Sequence, residues 1–115
     1  MADGSSSGSG RVIEVNDETF DREVLSSTVP VLVDFGATWC APCRALHPIV
    51  ERLAAEQAGR IKVVTLDTDD SPRTAQRYGV RAVPTVLVFR NGEKTASHLG
   101  VTSKERLLAL LDAGA

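Results

Sequence analysis

Two cysteines, Cys40 and Cys43, carry the clearest chemistry in this chain. They lie in the run Trp39-Cys40-Ala41-Pro42-Cys43-Arg44, and no other cysteine is present. The pair falls where an apolar, strand-like run ends and a helical pattern begins. Cys40 therefore stands at or just before a first helical turn, where unpaired N–H groups and the positive end of the helix dipole stabilise a thiolate. Cys43, one turn on, is placed to attack a mixed disulfide formed at Cys40. Pro42 favours helix initiation and stiffens the loop that keeps the sulfurs close. Thiol–disulfide exchange is the leading chemistry.

Three other uses of a cysteine pair compete. As a structural staple, the disulfide would close a loop of about four residues, worth roughly 2 kcal/mol on the chain-entropy estimate and less than a longer loop gives. A zinc site needs about four ligands, and the two histidines, His47 and His98, fall on a helix and a distant hairpin strand. Covalent haem attachment requires histidine directly after the second cysteine, and Arg44 stands there.

The elements that must position the pair can be read along the chain. Arg11 to Val15 is a short strand. Asn16 or Asp17 caps a helix carrying Phe20, Val24 and Leu25 and ending near Ser26-Ser27. The run Val31 to Phe35, apolar except for Asp34, suits a central strand covered on both faces. The spacing of Leu46, Ile49, Val50, Leu53 and Ala54 is helical, with Pro48 predicting a kink and Gly59 a stop. Ile61 to Leu66 is a second buried strand, and Ser71-Pro72 opens a short helix to Tyr78 with Gly79 as terminator. Val83 to Phe89 and Glu93 to Leu99 form a hairpin through Asn91-Gly92. Thr102 with Glu105 makes a capping box for a last helix lined by Leu107, Leu108, Leu110 and Leu111. The order βαβαβαββα is an α/β sheet, parallel first and closed by an antiparallel hairpin.

Composition narrows the partners. Thirteen basic and 15 acidic side chains give a net charge of −2 without a run of one sign, so neither nucleic acid nor an acidic membrane surface is expected as a partner. No apolar stretch approaches the ~18 residues of a spanning helix. Residues 1–10, MADGSSSGSG, read as a flexible tail rather than a secretory signal, leaving one domain over residues 11–115. The expected compartment is the cytosol, where thiols are kept reduced.

The chain resembles the thioredoxin family through an ordered set of motifs: Val33-Asp34-Phe35, Trp39-Cys40-Ala41-Pro42-Cys43, Pro48, Tyr78-Gly79-Val80-Arg81, Val83-Pro84-Thr85, Asn91-Gly92 and Gly100. The resemblance implies a five-stranded mixed sheet flanked by four helices, with Cys40 as nucleophile and Cys43 as resolving thiol. It implies that Asp34 is a buried carboxylate handling the resolving thiol's proton; an aspartate inside an apolar strand should also have a raised pKa. It makes Val83-Pro84 a cis step opposite the cysteines. Trp39, Ala41, Pro42, Ala82, Val83, Pro84 and Gly100 then form a client-docking surface, the Val83 backbone pairing with substrate. The implied activity is reduction of disulfide-containing client proteins by a monomer. An NADPH-dependent flavoenzyme reductase would restore the dithiol, with no cofactor beyond the redox-active Cys40–Cys43 disulfide.

Four residues depart from the family pattern. Gly36 replaces a usual tryptophan, Ala41 a usual glycine, Thr65 a common lysine near the buried aspartate, and Ala82 a frequent glycine. Losing the lysine predicts a still higher pKa for Asp34. The dipeptide Ala41-Pro42 tunes redox poise, where 30 mV corresponds to about 1.4 kcal/mol. The alternatives to a reductase are a thioredoxin-like docking module and a more oxidising disulfide-exchange protein.

Overall fold

The computed structural model describes residues 8–113; most of the 1–10 tail and the last two residues lie outside that span. Five strands form one mixed sheet in the order β1-β3-β2-β4-β5. They are β1 (Val12–Val15), β2 (Val31–Gly36), β3 (Lys62–Asp67), β4 (Thr85–Arg90) and β5 (Glu93–Leu99). The first three run parallel, and β4 is antiparallel to both β2 and β5. The helices are a short π-helical segment (Asp21–Leu25), α1 (Ala41–Glu56), α2 (Pro72–Arg77) and α3 (Lys104–Ala113). This is the mixed five-stranded sheet flanked by four helices that the sequence implied.

Central position explains the composition of β2. Paired to β3 on one side and β4 on the other, it is covered on both faces, and Val31 to Phe35 are all buried. Alternation sends Val33 and Phe35 into a core with Phe20, Leu87 and Phe89. It sends Leu32 into the opposite core, with Leu46, Val50 and Leu53 of α1 and Leu107 and Leu111 of α3. Asp34 and Gly36 share this α1-facing side of the strand.

Several local expectations are corrected by contacts between distant segments. Asp17 does not cap the helix that follows it. Its carboxylate accepts from Arg73 N at 3.1 Å and Thr74 N at 2.8 Å, capping α2 from 56 residues away. Ser71 is the N-cap of α2 with proline following it, as expected, but its side chain makes no capping bond and accepts from Asp17 N at 3.2 Å. Asn16 orders the chain before the π-helical segment, its side chain accepting from Glu18 N and Thr19 N at 2.9 Å each. Ser103 rather than Thr102 caps α3, accepting from Arg106 N at 3.1 Å. An arginine at that third helical position rules out the capping box. The fourth strand begins at Thr85, leaving Val83-Pro84 outside the ladder. Asn91 and Gly92 both take positive φ, 53° and 81°, as a two-residue hairpin requires.

Candidate active site

The parallel strands deliver their C-terminal ends to one edge, and there β2 turns into α1. The Cys40 N–H donates to the Ala37 carbonyl at 3.2 Å, closing the turn. Cys40 itself is the N-cap of α1, in extended conformation (φ −96°, ψ 109°), with Pro42 in the first helical turn. Cys40 and Cys43 are joined as a disulfide. The Cys43 N–H donates to the Cys40 sulfur at 3.1 Å, so a first-turn amide is already aimed at the atom that would carry thiolate charge. Arg44 donates to the Thr38 carbonyl at 2.8 Å and clamps the loop.

The sequence-predicted docking residues gather on the same edge. The Val83–Pro84 bond is cis, and the Val83 carbonyl oxygen lies 3.8 Å from the Cys40 sulfur. Val83 packs against a small buried cluster of Ala37, Cys40 and Cys43. Gly100, at φ 99°, gives its N–H to the Pro84 carbonyl at 2.8 Å. Only glycine takes that conformation without strain. Ala41, Pro42 and Ala82 are exposed. Trp39 is 68% exposed, its indole N–H held by the Asp69 carboxylate at 2.7 Å. Leu99 and Val101, flanking Gly100, are also exposed. These two apolar residues were missed in the sequence, where an apolar residue at a strand end looks like ordinary core.

Asp34 makes none of these contacts and lies deeper. It is buried at 4% exposure, and its Oδ1 has no hydrogen-bond partner among the described residues. Burial pushes its carboxyl up from 3.8 to about 6, against a smaller downward pull from the charge of His47. Two residues further along β2 on the same face, a Cβ at Gly36 would sit 3.5 Å from both Cβ and Sγ of Cys43. On the same face of β2, it is Gly36 that lies against the second cysteine. Beside it opens a cleft of about 210 Å³ lined by Gly36, Cys43, Arg44, His47, Thr65 and Glu14. His47 was read only as a helix residue unable to join a zinc site; its neighbourhood comes from the crossing of α1 over β3. Among the described residues, no group of three acidic, histidine or cysteine side chains could hold a metal.

A thioredoxin family model matches residues 11–113. A chloroplastic M-type thioredoxin of Pisum sativum is 53% identical over 93 residues, covering 81% of this chain and 54% of that protein. Thioredoxin M4, chloroplastic, of Arabidopsis thaliana is 50% identical over 96 residues, covering 84% of this chain and 50% of that protein. Thioredoxin 1 of Nostoc sp. is 46% identical over 99 residues, covering 86% of this chain and 92% of that protein. The chain therefore spans about half the length of the two plant relatives and nearly all of the cyanobacterial one. The relatives correct the cytosolic expectation: the two plant proteins are named chloroplastic, as are further matches from Oryza sativa subsp. japonica and Chlamydomonas reinhardtii. The sequence argument separated thiol-reducing compartments from oxidising ones, and the cytosol is only one of the former.

Proposed function

Because the chain belongs to the thioredoxin family, we propose that it is a thiol–disulfide oxidoreductase that reduces disulfides of client proteins. Cys40 is the attacking thiolate and Cys43 the resolving thiol. The observation that carries this reading is the Cys40 sulfur at the N-cap of α1. It receives the Cys43 N–H at 3.1 Å and faces the Val83 carbonyl across the docking edge.

In the reaction, the Cys40 thiolate attacks a client disulfide and expels one client thiolate. The Cys43 sulfur then attacks Cys40 of the mixed disulfide, releasing the second client thiolate and closing the Cys40–Cys43 bond. Cys43 must lose its proton in that second step. Asp34, poised by burial at about 6, is the acceptor beneath it, either directly or through water in the cleft. Trp39, Ala41, Pro42, Ala82, Val83, Pro84 and Gly100 form the contact surface, with the free Val83 backbone available for a strand-like pairing. An NADPH-dependent flavoenzyme restores the dithiol. The redox domain covers residues 11–115, a reading supported by the family match over 11–113. Gly36, Ala41, Thr65 and Ala82 make it a divergent member, and the chloroplastic relatives support a plastid setting.

Insulin reduction in the presence of a dithiol donor tests the assignment. The wild-type chain should accelerate it, Cys40→Ser should abolish the acceleration, and Cys43→Ser should accumulate a mixed disulfide with the client. No acceleration by the wild-type chain with any thiol donor would sink the reading.

A further inference from the structure

Away from the docking edge, Cys43 borders a cleft, and one wall of that cleft is a glycine that the backbone does not need. Gly36 is absent from the positive-φ residues, so any L-residue could adopt its conformation. Glycine within a strand weakens the strand and marks a place of close approach. Its missing side chain leaves space against Cys43, whose Cβ and Sγ both lie 3.5 Å from where a Cβ would stand. Cys43 is accordingly the more exposed of the pair, at 9% against 3% for Cys40. It lines the cleft of about 210 Å³ that opens between α1 and β3.

We propose that this cleft is an entrance for low-molecular-mass thiols, which attack the oxidised pair at Cys43 while protein partners use Cys40 on the docking edge. The cleft is open to solvent and has room for a small thiol beside Cys43. Chemistry favours the same site. A disulfide is cleaved faster when the departing sulfur is the better-stabilised thiolate. Attack at Cys43 makes Cys40 the leaving group, and Cys40 has the Cys43 N–H and the start of α1 to stabilise it.

The incoming thiol loses its proton to solvent, and its thiolate forms a bond to the Cys43 sulfur. The Cys40–Cys43 bond breaks, its electron pair leaving on Cys40. A second thiolate attacks the small thiol's sulfur in that mixed disulfide and releases Cys43 as a thiolate; Cys40 and Cys43 then each take a proton from water. Two thiols become one small disulfide, and the protein becomes a dithiol.

This inference rests on the pair being a working exchange couple, and the two can fail separately. The oxidised full chain is mixed with 2-mercaptoethanol, quenched in acid within milliseconds and mapped by peptide mass spectrometry, while the fluorescence of Trp39 reports the rate. The adduct should sit mainly on Cys43. Gly36→Leu should slow cleavage at least about tenfold, equivalent to ~1.4 kcal/mol of barrier, and move the adduct to Cys40. Gly36→Ala should show a smaller effect in the same direction. Its added Cβ makes only an ordinary van der Waals contact, so this variant keeps the test open if the leucine variant does not fold. An adduct mainly on Cys40 in the wild-type chain, or rates unchanged in a folded Gly36 variant, would overturn the inference while leaving insulin turnover intact. Absence of exchange at either sulfur would overturn the oxidoreductase reading itself.

Discussion

Among the described residues two carboxylates are buried, on opposite sides of the sheet, and they are treated in opposite ways. Glu23, at 8% exposure, lies on the Phe20 side. It receives Lys62 Nζ at 2.6 Å on its carboxylate and 2.9 Å on its own backbone carbonyl, with Arg22 Nε 3.4 Å away. Burial alone would raise its pKa, but the hydrogen bond and charge of Lys62, helped by Arg22, more than offset this and hold it below 4.5. Asp34, at 4% exposure, has no such partner, and burial wins, raising it to about 6. A buried carboxylate that only needs to sit in a core is given a cation. One left unpaired next to a reactive pair is kept where it can take or give a proton near neutral pH.

The largest expected effect is on the paired side. Replacing Lys62 with methionine strands the Glu23 charge and should cost about 3–5 kcal/mol at neutral pH, the usual penalty for breaking a buried pair. Glu23→Leu combined with Lys62→Met should recover most of the loss, because neither charge then remains to be desolvated. Denaturant unfolding at pH 7 measures both. A single variant within about 1 kcal/mol of wild type would mean that the pair behaves like a surface contact.

Next in size is the unpaired side, with the opposite sign. Asp34 binds its proton more tightly folded than unfolded, so it costs nothing below about pH 4. Stability is then lost as pH rises from 3.8 towards about 6, and the loss stays constant above that. Asp34→Asn removes the titration and should raise stability at pH 7.5 by up to about 3 kcal/mol, at roughly 1.36 kcal/mol per pKa unit. That gain should vanish below about pH 4. Glu23 runs the other way: its depressed value adds stability above 4.5 that is lost in acid. The Asn variant should also slow client release, the step in which Cys43 gives up its proton. Equal stability of Asp34→Asn and wild type across pH 4–8 would show that the carboxylate is not desolvated.

The contrast between the two sites also marks how far the sequence could be read. Asp34 was legible because its signal is local: one acid in the otherwise apolar run Val31–Phe35. The cysteine pair and the hairpin at Asn91-Gly92 were legible for the same reason, whereas the cis Val83-Pro84 step came only from the family resemblance. Glu23–Lys62 was not, since its partners are 39 residues apart and Lys62 begins a strand otherwise read as apolar. Nor was the exchange in which Asp17 caps α2 while Ser71 holds Asp17. Capping preferences identify residues able to cap and leave open which helix they reach. Similarly, Gly36 was visible as a departure from family pattern, but the opening it leaves over Cys43 needed the helix in place.

The smallest expected effect concerns the one charge that acts against the burial of Asp34. His47 of α1 lowers the Asp34 carboxyl while pairing with Glu51, its Nε2 3.2 Å from Oε2. Its cleft also holds Arg44 of α1, Glu14 of β1 and Asp67 of β3, so its field is opposed by acids on the two facing strands. Removing it in His47→Gln should move the Asp34 titration upward from about 6 and carry the window of pH-dependent stability loss to higher pH with it. The side chain is 45% exposed, which leaves the interaction open to screening, so added salt should shrink the difference between variant and wild type. Following the Asp34 carboxyl carbon by NMR at low and high salt measures the shift directly. A downward movement, or one unaffected by salt, would mean that Glu23 and Asp34 do not differ simply by the cation each is given.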